Sequence, residues 1–159
     1  MQKLRITAVN VCRFVLAATF IFSGYVKAID PLGTLYKLKD YAAAMSLNGL
    51  LPDWALVGVA IALGALEFAL GVFMLFAVRR HVVSRITLAF MAAMTVLTLW
   101  IFVADPVKDC GCFGDALKLT NGETLLKNIV LSACAALVAW RPVDMARFIS
   151  RSNQWIVRY

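Results

Sequence analysis

Four long apolar runs divide the chain. They extend from Thr7 to Ile29, Trp54 to Val78, Val82 to Ala104 and Thr124 to Trp140. The last run gains a turn if its helix begins at Asn121. A helix needs roughly 20 mostly apolar residues to cross a bilayer, so each run predicts a transmembrane helix. Asp30-Pro31-Leu32-Gly33 breaks the first run, and the stretch after it changes pattern. From Thr34 to Leu47, apolar residues recur at helical spacing, with Lys37, Lys39 and Asp40 between them. That alternation predicts a short amphipathic helix at a membrane interface. Asn48-Gly49 and Pro52 close it. Asp105-Pro106 ends the third run, and Thr120-Asn121-Gly122-Glu123 has the pattern of a capping box, which places the start of the fourth helix just after Thr120.

Composition strengthens this picture. The chain has 159 residues, is 62% hydrophobic and has a mean hydropathy of +0.82. Soluble domains average about 45–50% apolar residues. A water-soluble fold of this composition would lack the polar residues to cover its surface. The expected fold class is therefore all-α, a four-helix transmembrane bundle forming one integral-membrane domain over residues 1–159. No internal repeat is visible.

The net charge of +7 raises the question of nucleic acid, and its distribution answers it. All nine arginines lie near the N-terminus, in the connection after the second run, or in the C-terminal tail. The first and third connections instead hold most of the acids, from Asp30 to Asp53 and from Asp105 to Glu123. By the positive-inside rule, both termini and the Arg79–Arg85 turn are cytoplasmic, and the two longer connections face outward. Topology accounts for the surplus charge without nucleic acid, and the basic tail suits anionic lipid headgroups. The N-terminal pattern also begins as a signal peptide does. The run is long, contains Arg13 and ends in Lys27, which favours an uncleaved first helix.

Two groups of residues carry candidate chemistry. The first is Asp109-Cys110-Gly111-Cys112-Phe113-Gly114-Asp115, between the third and fourth runs. On the outer face, Cys110 and Cys112 meet a compartment in which disulfides persist. Gly111 permits the tight backbone of such a small ring, and strained, exposed disulfides are typically oxidising and labile. A static bridge that pins the loop is the alternative. A metal site is a second alternative, and a weak one, since two thiolates stand without a histidine on this side. The second group lies within the membrane. Arg13 and Glu67 fall at similar depths by residue count, and an unpaired charge there is costly, so a mutual ion pair is expected. It is either a structural lock between helices or a proton or quinone head-group site. Lys27 is expected to snorkel at the outer edge or to join Asp30. Cys12 and Cys134 read as packing residues at similar depth on the first and fourth runs.

These residues resemble the DoxX-like superfamily, particularly its MauE-like branch, over nearly the whole chain. The likeness runs from Arg13 through Ser23-Gly24-Tyr25-Val26-Lys27 and Asp30-Pro31, through Glu67 and Gly71, to the Cys110–Cys112 stretch with Thr120-Asn121 and Glu123 through Asn128. The resemblance implies a compact four-helix membrane protein linked to redox metabolism, with a periplasmic thioredoxin-like partner and disulfide formation in an exported enzyme. The expected function is thiol–disulfide exchange at the outer face of a bacterial inner membrane, through Cys110 and Cys112, with electrons passing to quinone near Arg13 and Glu67. Two other readings stay open: a non-enzymatic anchor or assembly subunit of a redox complex, and a subunit of a quinone-linked sulfur-compound oxidoreductase.

Overall fold

A computed structural model describes residues 2–44, 52–104 and 120–146. Cys110 and Cys112 lie outside the described residues, as does the end of the amphipathic stretch. The elements are helical: α1 (Gln2–Ile29), α2 (Pro31–Ala44), α3 (Asp53–Leu75), α4 (Arg80–Ala104), α5 (Asn121–Trp140) and a 3-10 turn at Pro142–Asp144. Four of these, α1, α3, α4 and α5, are long and apolar enough to cross a membrane. Their outward faces carry exposed Phe22, Ile61, Phe68, Val96, Leu99 and Ile129. Such faces suit lipid and would be unsolvated in water.

α1 packs mainly on α3, and α4 mainly on α5, with α1 also touching α5. The α1–α3 seam is built from small residues. A Cβ on Gly24 would lie 2.5 Å from the Phe68 backbone nitrogen and 2.7 Å from the Gly64 carbonyl oxygen. A Cβ on Gly71 would lie 2.7 Å from the Ile21 nitrogen. The two backbones therefore touch at both points, which is how small residues drive helix association in lipid. The α4–α5 seam uses hydroxyls and an amide. Thr95 Oγ1 and Ser132 Oγ are 2.7 Å apart, and Asn128 Nδ2 donates to Thr98 Oγ1 at 3.2 Å. Thr95 and Thr98 thus link α4 to α5.

Helix boundaries follow local chemistry. The Asp30 carboxylate accepts from the Gly33 backbone N–H at 2.9 Å, and Pro31 occupies the first helical position. α2 therefore starts three residues before the expected Thr34, because Asp30 caps it and proline suits its first turn. At α5, Thr120 Oγ1 accepts from the Glu123 backbone N–H, and the Glu123 carboxylate accepts from the Thr120 N–H at 2.9 Å. The capping box expected from the sequence is present. α3 ends at Leu75, three residues short of the expected Val78. Ala77 and Arg79 take φ of 53° and 41° in the turn before α4.

The 3-10 turn is clasped by side chains from α1 and α4. Arg5 Nε bonds the Asp144 carboxylate at 2.9 Å. Asn10 donates to the Asp144 carbonyl at 3.1 Å and accepts from the Ala146 N–H at 2.9 Å. Arg80 donates to the Val143 carbonyl at 2.8 Å. This clasp marks one end of the bundle. Ala104, Thr120 and α2 lie toward the other, where Phe102 sits beside Gly122.

Candidate functional site: a cavity beside a buried ion pair

The glycine seam fixes the register of α1 against α3. Gly64 lies beside Lys27, since a Cβ there would sit 3.1 Å from the Lys27 Cβ. Glu67 is one turn further along α3. Side chains on a helix tilt toward its N-terminus. Lys27 therefore leans back into the bundle along α1, while Glu67, on an antiparallel helix, leans the opposite way. The two converge: Lys27 Nζ is 2.6 Å from Glu67 Oε2 and 2.8 Å from Ser23 Oγ. Their side chains are only 5% and 7% exposed.

The expected Arg13–Glu67 pair is therefore not formed, and Lys27 neither snorkels outward nor joins Asp30. Counting depth from the ends of the apolar runs misplaced Arg13, because α1 begins at Gln2 and its register is set by Gly24 and Gly71. Arg13 leans toward the clasped end. It is fully buried, donates through Nη1 to the Ala146 carbonyl and stacks on Phe14, with Cζ 4.5 Å from the ring centroid. Among the described residues Arg13 thus has a structural partner, and it is not one of the residues that line the cavity beside Lys27 and Glu67. Glu67 is the one of the two that lines it.

That cavity has a volume of about 140 Å³ and is reached by five helices. Phe20, Leu63, Phe90, Met91 and Leu131 supply much of its apolar wall, and Lys27 and Glu67 its buried charges. α2 contributes Thr34, Lys37, Leu38 and Tyr41. This helix is thus a wall of the cavity, and more than a connection. Thr34 is 4% exposed, and its hydroxyl has no hydrogen-bond partner among the described residues. A buried hydroxyl without a partner is uncommon and calls for an explanation. Sequence reading missed Thr34 and Asn128 as lining residues. The directional rule for helix side chains was the signal that could have paired Lys27 with Glu67.

Toward the other end, α1 carries Cys12 and α5 carries Cys134. Both are free, partly buried and packed against the core. Among the described residues, no group of three or more His, Cys, Asp or Glu side chains could hold a metal ion.

The sequence profile of methylamine utilisation protein MauE matches residues 5–141. The chain belongs to the MauE family. The match takes in all four membrane-spanning helices, the Lys27–Glu67 pair and the Cys110–Cys112 stretch, so this MauE-family chain is a multi-pass membrane protein. No curated protein and no solved structure matches it.

Proposed function

We propose that this MauE-family protein carries out thiol–disulfide exchange at the outer face of a bacterial inner membrane, with Cys110 and Cys112 as the exchanging pair. A thioredoxin-fold partner is the other reactant. One partner thiolate attacks the Cys110–Cys112 disulfide to give a mixed disulfide. The second partner thiolate then releases the reduced pair, so that two electrons move from the partner to this chain. The partner's new disulfide goes on to an exported enzyme. Reoxidation of Cys110 and Cys112 requires an acceptor of two electrons, and a membrane quinone supplies that capacity when bound.

The observation that carries this reading is the placement of the cavity. The segment bearing Cys110 and Cys112 is anchored at Ala104 and Thr120, on the same end of the bundle as α2, which walls the cavity holding Lys27 and Glu67. Lys27 and Glu67 lie nearer than Arg13 to the end of the bundle where α4 stops and α5 starts, which supports this reading. The test is to replace Cys110 and Cys112 singly with serine and follow the partner. Neither variant can form the Cys110–Cys112 disulfide, so exchange should be abolished or trapped at a mixed disulfide, and no partner disulfide should accumulate. An unchanged partner redox state in both variants would refute the proposal. A loss of partner retention with no mixed disulfide would identify an anchoring subunit instead.

A further inference from the structure

The cavity wall has a composition that specifies its occupant. It lies between membrane-spanning helices, so a ligand reaches it from lipid or from the α2 end. The exposed surface of its lining is mostly apolar, with Lys27, Lys37, Glu67, Lys127 and Asn128 among the residues around it, which suits a largely apolar ligand that carries polar atoms. An engineered apolar cavity of about 150 Å³ holds one benzene ring, and this one, at about 140 Å³, has space for one six-membered ring. A purely apolar ring would leave the Thr34 hydroxyl unpaired. The ligand therefore carries an acceptor oxygen on the ring. Phe20 and Phe90 form an edge-to-face pair with centroids 5.5 Å apart, and both line the cavity, giving an aromatic surface for a planar group.

We propose that this cavity binds the head group of a single-ring, membrane-soluble benzoquinone, with the Thr34 hydroxyl donating to one ring carbonyl. The assignment rests on the thiol–disulfide reading for its role as electron acceptor, and on the cavity alone for binding. Oxidation of the reduced Cys110–Cys112 pair breaks two S–H bonds and forms one S–S bond. The two electrons and two protons so released convert the quinone to its quinol. In the cavity wall Lys27 Nζ donates to Glu67 Oε2 at 2.6 Å, which sets an N–H donor and a carboxylate beside the space the ring would fill.

The test is equilibrium binding of decylubiquinone to the full-length protein in lipid nanodiscs, with empty nanodiscs subtracted. An azido-benzoquinone photolabel is mapped by mass spectrometry. Decylubiquinone should bind saturably at one site, with label on residues of α2 and α4 that line the cavity. Thr34→Val, which keeps the shape and removes one hydrogen bond, should weaken binding about fivefold. Leu38→Trp, which fills the space from α2, should abolish it. Equal binding by parent and Leu38→Trp protein, or label confined to lipid-facing residues, overturns the assignment. Partner exchange is measured in parallel with ferricyanide as terminal oxidant. Exchange that continues without quinone binding overturns the cavity assignment and leaves the thiol reading standing. Quinone binding in a chain whose Cys110→Ser and Cys112→Ser variants leave the partner unchanged overturns the thiol reading and keeps the site.

Discussion

Replacing Glu67 with leucine leaves the Lys27 ammonium beside Ser23 without its carboxylate, in a site where the side chain is 5% exposed. Removing one member of a buried ion pair typically costs about 3–5 kcal/mol, because the remaining charge stays desolvated. Insertion scales put a lone charge at the centre of a membrane helix at about 2.5–3.5 kcal/mol, a figure of the same order. Replacing both members with apolar residues of similar volume removes the desolvation of both charges together with their attraction, and is often neutral or stabilising. Lys27→Met and Glu67→Leu should therefore each destabilise the bundle by about 3–5 kcal/mol, whereas the double variant should lie within about 1 kcal/mol of the parent. The coupling energy should exceed about 3 kcal/mol, far above the few tenths expected between independent sites. Equilibrium unfolding in mixed micelles, followed by circular dichroism, reads all four members of the cycle. A parallel cycle of Arg13→Met with Glu67→Leu should be additive within about 0.5 kcal/mol. Additive Lys27 and Glu67 variants, or strong coupling between Arg13 and Glu67, would refute the assignment of the pair.

Other expected outcomes follow from the same geometry. Gly24→Ala forces a methyl group to within 2.5 Å of the Phe68 backbone nitrogen and should destabilise by at least about 1–3 kcal/mol in thermal melts. Gly58→Ala meets nothing within 4 Å and should be neutral or up to about 1 kcal/mol stabilising, from helix propensity alone. Asn10→Ala loses the bonds to Asp144 and Ala146 and should cost about 1–3 kcal/mol in the same unfolding assay. Thr120→Ala removes the cap of α5 and should cost about 0.5–2 kcal/mol, with faster hydrogen exchange confined to the first turn of that helix.

The apolar runs revealed the four spans because the hydrophobic requirement of a bilayer acts on every residue of a helix. The Thr120 cap was legible for a local reason: its bonds join residues three positions apart. The end of α3 was hidden because no glycine marks it. The turn closes through Ala77 and Arg79 at positive φ, with Val78 N–H donating to the Phe73 carbonyl at 2.9 Å, inside a run that stays apolar to Val78. The site itself was half legible. Glu67 stood out as the one acid in an apolar run, but its partner depended on the α1–α3 register. That register is set by contacts at Gly24, Gly64 and Gly71 between residues far apart in the chain, such as Gly64 and Lys27 or Gly71 and Ile21. Arg13 was drawn away by the carbonyl of Ala146, a long-range contact with no periodic signal. Thr34 became a candidate only when α2 was seen to wall the cavity.

Thiol trapping of Cys110 and Cys112 in native membranes, read by non-reducing gel and mass spectrometry beside the single-cysteine variants, tests the central claim most directly. A cycling site predicts reduced, oxidised and partner-linked forms together, with the oxidised fraction falling when the membrane quinone pool is held reduced. A pair that is fully oxidised, resistant to mild reductant and never linked to a partner would contradict thiol–disulfide exchange.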